Sequence, residues 1–225
     1  MKWGGLGIAV TCVSLLTLSQ ARKAETVSSR MKQFGPSVDA RLMPAFRKAG
    51  VKYPPYKLGI LAFKQSKKME IYAKSSEKDA YKLITQYEIL GASGKLGPKL
   101  KEGDLQVPEG IYRAESLNPN SKFHLSIRLN YPNAFDRKMA KLDNRKGLGG
   151  DIMIHGKTGS IGCLAMGDLV AEELFVLCER TGLKNVKVII SPSDFRPRGS
   201  FVMPLQPAWL DQLYAEIRKA LREFN

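Results

Sequence analysis

A mainly β, α+β domain with helices at its edges is the fold class this sequence predicts, and three observations carry it. Apolar and polar residues alternate in short runs through the middle of the chain, most clearly where Phe123, Leu125, Ile127 and Leu129 interleave with His124, Ser126 and Arg128. A period of two is strand patterning, with one face packed and the other polar. Helical spacing, by contrast, is confined to the two ends and to one segment after Asp168. The third observation is bulk: with 225 residues, 44% hydrophobic and 25% charged, the chain can bury a sizeable core and is not of disordered composition. Prolines and glycines are scattered through turns, with no internal repeat or low-complexity linker.

In chain order, residues 1–21 read as a secretory signal. Lys2 supplies the basic start, residues 4–18 the apolar stretch, and Ser19-Gln20-Ala21 the small residues of a cleavage site. The apolar run is short for a bilayer span, and the Ala-Val-Thr before Cys12 is a poor lipoprotein signal. Residues 22–55 form an N-terminal helical segment, helical over 29–49 with an interruption at Pro44. Residues 56–195 form the main unit, with strands at 58–63, 69–73 and 81–90, then a Gly- and Lys-rich loop over 91–104. Strands follow at 110–115 and 123–129, a turn at Asn130, Tyr131, Pro132 and Asn133, and a strand at 151–155. A helix over 169–181 has Asp168 as its N-cap and Gly182 just past its end, and a strand at 186–191 follows. Residues 196–225 are a helical tail in which Trp209, Leu213, Ile217 and Leu221 share a core-packing face.

The net charge of +15, from 36 Lys and Arg against 21 Asp and Glu, would suit a polyanion. The basic residues are nevertheless spread along the chain. Their densest run, Lys64, Lys67 and Lys68, has no aromatic interleaving and reads as a solvated face, so no nucleic-acid partner is expected. In an exported protein such a surface favours encounter with anionic wall polymers and peripheral contact with membranes. Removal of the signal leaves Cys163 and Cys178, too few for a disulfide scaffold. Cys178 is in helical register with Val170, Leu174 and Leu177 and reads as a core thiol. With 2 histidines and no Cys-x-x-Cys, the sequence predicts no metal site and no cofactor.

Chemistry concentrates between Asp151 and Asp168, in Asp-Ile-Met-Ile-His-Gly-Lys-Thr-Gly-Ser-Ile-Gly-Cys-Leu-Ala-Met-Gly-Asp. A short apolar strand delivers His155 to a glycine-rich loop, and Cys163 closes that loop. An imidazole can take the thiol proton, and the thiolate can attack a carbonyl to form an acyl-enzyme. Gly156, Gly159 and Gly162 would let backbone N–H groups approach a developing oxyanion. The plainer alternative is a small buried cysteine beside a satisfied histidine; the clustered glycines and Ser160 weigh against it. His124 and Arg128 are expected on the polar side of the strand over 123–129 and Tyr131 in the turn after it.

His155-Gly156, Ser160 and Gly162-Cys163 resemble the active-site signature of the L,D-transpeptidase (YkuD-type) catalytic domain family, in particular its YafK-like branch. Gln106-Val107-Pro108-Glu109-Gly110-Ile111-Tyr112 resembles that family's Thr-Pro-x-Gly-x-Phe segment, and Phe123-His-Leu-Ser-Ile-Arg-Leu-Asn-Tyr-Pro-Asn-Ala-Phe-Asp136 the strand and loop that follow. The resemblance covers roughly residues 56–195. It implies an L,D-transpeptidase-like β-sandwich with peripheral helices, in the periplasm or otherwise exported to the cell envelope, acting in wall biogenesis and cell shape. It implies Cys163 as nucleophile and His155 as base, Ser160, Gly162 and Gly156 as orienting or oxyanion groups, and stem peptides of peptidoglycan as substrate. That the side carrying His124, Arg128 and Tyr131 borders a substrate groove is implied only by this resemblance. The implied reaction is transfer of an acyl group from the diamino-acid centre of a stem peptide to an amine. The same thiol chemistry with water would make an amidase releasing a wall-anchored lipoprotein, and a degenerate site would leave a non-enzymatic envelope protein. One departure matters: the family's arginine two residues after the nucleophile is Ala165 here. Arg128 is the residue that could supply the missing charge from a neighbouring strand.

Overall fold

The computed structural model describes residue 1, residues 24–197 and residues 207–224. The expected signal segment, with Lys2, Cys12 and Ala21, therefore lies outside the described residues. The order of elements is α1 (Val27–Ala49), β1 (Lys57–Phe63), β2 (Lys68–Lys74), β3 (Lys82–Glu88), β4 (Gly91–Ala92), β5 (Gly110–Asn118), β6 (Ser126–Leu129), α2 (Ala134–Leu142), β7 (Met153–His155), β8 (Leu164–Ala165), α3 (Asp168–Thr181), β9 (Val186–Ser191) and α4 (Leu210–Leu221). This is the α+β class the sequence predicts.

The strands of the expected sandwich are joined in one nine-stranded mixed sheet, ordered β3-β2-β1-β9-β5-β6-β7-β8-β4. Strand β5 makes the join: Gly110 to Arg113 pair with β9, whereas Ala114 to Asn118 pair with β6. A register shift between Ala114 and Ser116 marks the change of partner, and such irregularities bend and twist a strand. Strands β1 and β9 are parallel neighbours and are covered on both faces. Leu58, Ile60, Val188 and Ile190 face a core shared with α1, α3 and the β6–β8 residues Ile127, Ile154 and Leu164. Leu61, Phe63 and Ile189 face Leu213, Tyr214, Ile217 and Leu221 of α4. Burial on both sides explains why β1 and β9 read as apolar runs rather than alternations.

Helix α1 starts with a capping box, the Ser29 N–H donating to Thr26 Oγ1 at 3.0 Å and the Thr26 N–H to Ser29 Oγ at 2.9 Å. It ends at Gly50, φ 64. The expected break at Pro44 does not occur. Pro36 and Pro44 lie inside a continuous helix on its exposed side, where the carbonyls that lose an N–H partner can turn to solvent. The packed side is Gly35, Val38, Leu42 and Phe46. Helix α2 is absent from the sequence reading. It starts with a second capping box, Asn133 Oδ1 accepting the Asp136 N–H at 3.0 Å and Asp136 Oδ2 the Asn133 N–H at 2.8 Å.

Lys64 corrects the solvated-face expectation. It is 8% exposed, and its Nζ lies 2.9 Å from Glu109 Oε1 and donates at 2.9 Å to the Gly97 and Val107 carbonyls. Glu109, fully buried, also accepts the Gly97 N–H at 2.7 Å and the Tyr214 hydroxyl at 2.8 Å. An ion pair survives inside a protein when its remaining donors and acceptors are satisfied in this way. Among the described residues no helix is long and apolar enough to cross a membrane.

Candidate active site

Sheet register brings the sequence-predicted pair together. Strand β7 runs antiparallel to β6, with Ser126 opposite His155 and Arg128 opposite Met153, and parallel to β8, with Ile154 beside Leu164 and His155 beside Ala165. Ile127, Ile154 and Leu164 point into the main core. The alternate residues Ser126, Arg128, Met153 and His155 share the opposite face. One step back along β8 from Leu164, Cys163 falls on that same face.

Residues 156–163 close a parallel return in less chain than such connections usually need. A β-carbon on Gly156 would sit 2.5 Å from Asp168 Oδ1 and 2.7 Å from Phe123 O, so only glycine fits that corner. Asp168 does not cap α3 as expected: Gly167 takes the cap position, and Asp168 Oδ1 accepts the Lys157 N–H at 2.8 Å instead. Ser160 Oγ donates to the Cys163 carbonyl at 2.6 Å and accepts the Ser93 N–H at 3.2 Å and, at a longer 3.4 Å, that of Gly162, whose φ is 121. The serine thus pins the loop that carries the thiol and touches neither ring nitrogen of the histidine.

His155 is 2% exposed, and its Nδ1 lies 2.6 Å from the Gly156 carbonyl. A carbonyl can only accept, so Nδ1 carries the proton and Nε2 is the bare, basic nitrogen. Burial lowers the imidazole pKa, against a smaller rise from the Gly156 carbonyl. Phe123 covers the ring with centroids 4.5 Å apart and planes at 34°. That corrects the expected alternation at its first position: Leu125, Ile127 and Leu129 are buried, but Phe123 is 40% exposed. The chain turns at His124, φ 72, before β6 begins.

The Cys163 thiol is partly buried and donates to the Asp151 carbonyl at 3.6 Å rather than to His155. Burial raises its pKa; a backbone hydrogen bond from Met153 and the charge of Lys99 pull it down, and Asp151 adds to the rise. Burial thus favours the neutral form of both groups. Lys99 is a contributor the sequence reading missed: its Nζ is held by Asp104 at 2.5 Å and the Lys101 carbonyl at 2.9 Å.

The remaining predicted residues are spread out. Arg128 pairs with Asp151 Oδ1 at 2.5 Å and lies 3.3 Å from Glu115 Oε2. His124 Nε2 meets Glu172 Oε1 of α3 at 2.9 Å, with Phe34 of α1 packed edge-on at 5.4 Å, so its ring is engaged by the helices. Tyr131 is 3% exposed within the main core, its hydroxyl donating to the Leu148 carbonyl at 3.2 Å. Ala165 is fully buried beside His155 and opposite Gly91 of β4. Cys178 is a fully buried core thiol, as its spacing predicts, and burial pushes its pKa up to about 12. Among the described residues no group of three or more His, Cys, Asp or Glu is placed to hold a metal ion.

No protein-family model matches the chain. Among solved structures, it is similar to the helical cell shape determining protein Pgp2 from Campylobacter jejuni, with TM-score 0.48 and 24% identity over 64% of this chain and 50% of that one. It is also similar to Bdellovibrio bacteriovorus Bd1075, with TM-score 0.44 and 22% identity over 74% and 55%. Among curated proteins, 138 residues, 59% of this chain, are 38% identical to the Escherichia coli K12 protein named "Putative L,D-transpeptidase YafK", and the Escherichia coli O157:H7 protein of that name matches equally. The chain spans about half the length of these relatives, 53%. Over that stretch its sequence is YafK-like, similar to the Escherichia coli proteins that carry this name.

Proposed function

We propose that this chain is an exported cysteine acyl enzyme of peptidoglycan. Cys163 attacks the carbonyl at the L-centre of the diamino acid in a stem peptide, the next residue leaves as its amine, and a thioester holds the remainder. His155 Nε2 takes the thiol proton, gives it to the leaving amine, and then deprotonates the acceptor. An amine acceptor from a second stem completes a transpeptidation. The observation that supports this best is the pairing of a fixed Nδ1–H with a bare Nε2 on the sheet face that carries the thiol. Ser160, Gly162 and the Cys163 backbone are the groups that would shape the oxyanion site, Ser160 by fixing the loop. The similarity to a protein named as an L,D-transpeptidase points to the same substrate class.

The buried Ala165 favours a second reading. A position without charge beside His155 cannot orient a donor carboxylate, which suits hydrolysis of a larger amide such as the wall-to-lipoprotein bond. Incubating the protein with wall fragments and reading products by mass spectrometry tests both. A thioester adduct and a new cross-link are expected with wild type and neither with Cys163→Ala. Release of lipoprotein residues with indifference to terminal D-alanine would replace transfer by hydrolysis, and a wild type without adduct or product would overturn the enzyme reading.

A further inference from the structure

One residue holds both the thiol and the nearest arginine on the site face. Asp151 accepts from Cys163 Sγ through its carbonyl at 3.6 Å and forms an ion pair with Arg128, Oδ1 to Nη1 at 2.5 Å. Its backbone is left-handed, φ 53, directly after Gly149 at φ 74 and Gly150. A non-glycine residue keeps such a conformation only while its surroundings hold it there. The hold on this one is light: the Asp151 side chain is 73% exposed and that of Arg128 40%, and exposed ion pairs exchange partners readily. Arg128 also has a donor to spare. Its Nε is buried and makes no hydrogen bond, although Glu115 Oε2 lies 3.3 Å away. Across the sheet Arg128 sits opposite Met153, and Cys163 follows on the next strand.

We propose that Arg128 is a carboxylate receptor of the thiol site and that Asp151 is its resident latch. A carboxylate on the acyl donor takes the place of the Asp151 side chain on Arg128, using the planar, two-pronged geometry that guanidinium offers. The 149–151 turn then relaxes, the Asp151 carbonyl releases the thiol, and Sγ–H turns to His155 Nε2, becoming thiolate beside imidazolium. The site is thereby quiet until a carboxylate-bearing donor arrives. This rests on Cys163 being the nucleophile, and it specifies which donors that nucleophile accepts.

Two haloacetates of nearly equal size test it, since iodoacetate carries a carboxylate beside its reactive carbon and iodoacetamide does not. Cys178 is fully buried, so alkylation read by peptide mass reports Cys163. The rate ratio of iodoacetate to iodoacetamide is expected to exceed that of free glutathione, and to fall by about tenfold in Arg128→Gln, the worth of a charge-assisted hydrogen bond. Asp151→Asn, with the latch weakened and Arg128 kept, is expected to raise alkylation by both reagents while keeping the high ratio. A wild-type ratio equal to that of glutathione, or one unchanged in Arg128→Gln, overturns the proposal. Turnover of wall fragments is not the readout, so failure of the peptidoglycan reading would be seen separately.

Discussion

The two halves of the sheet are built on different terms. Strands β1, β2 and β9 run 7, 7 and 6 residues and are buried along most of their length. Strands β7 and β8 run 3 and 2 residues, with one face in the core and the other carrying His155, next to Arg128 on the face of β6. The long half is held by ladder hydrogen bonds and apolar burial. The short half adds to a few core residues and short ladders a set of single polar contacts, such as Ser160 to the Cys163 carbonyl and Asp168 to the Lys157 N–H. Stability and chemistry are therefore separable, because the groups that would react sit where few ladder bonds depend on them.

The sharpest way to break that separation is at the thiol. Cys163→Ala is expected to abolish turnover while leaving the thermal transition within about 1 kcal/mol of wild type, since the change removes one atom from a loop. A large loss of stability would place Cys163 in the structural half after all. Next comes the base: His155→Gln is expected to lower the rate by about 10² to 10⁴, the range for positioned acid–base groups, and an unaltered rate would remove His155 from the reaction.

Leu61→Ala probes the other half. Leu61 is fully buried between β1 and α4, and its truncation is expected to cost about 2–5 kcal/mol while activity per folded molecule stays constant in denaturant-calibrated assays. The smallest effect concerns the two thiols. Burial raises both pKa values, so alkylation of Cys163 in the free protein should have its midpoint above the ordinary thiol value of about 8.5. A midpoint near neutrality would mean that the thiol rests as an ion pair with His155. For Cys178, pushed up to about 12, the folded state keeps a proton that the unfolded chain loses. Its contribution is present below the unfolded pKa and lost as pH rises from there towards 12. Cys178→Ala should flatten that alkaline decline and cost about 1–3 kcal/mol near neutrality.

What was legible in the sequence follows the same division. The apolar runs of β1 and β9, the helical register of Cys178 and the spacing along α4 are local patterns, and each matches the element it predicts. The strand that ends at His155 and the loop that leads to Cys163 were legible because they are contiguous in sequence. Strands β4 and β8 were not, since 2 residues show no period. Nor was the capping box of α2, read as a turn because Asn and Pro serve both. Lys64 looks like any solvated lysine until chain distant in sequence supplies Glu109, and Lys99 until its own loop folds back to bring Asp104 onto it. Strand alternation puts His124 on the polar face, but the alternation fails where its own φ turns positive, and Glu172 on α3 takes the ring.

The Tyr214 hydroxyl on Glu109 has a mechanical consequence. The same carboxylate grips Lys64 and the Gly97 N–H, and the stretch from Gly97 leads within a few residues to Lys99, whose charge is felt at the thiol. Helix α4 is thus a guy-line as well as a cover: one buried carboxylate ties it to the strand that carries Lys64 and to the 97–99 segment that leads to Lys99.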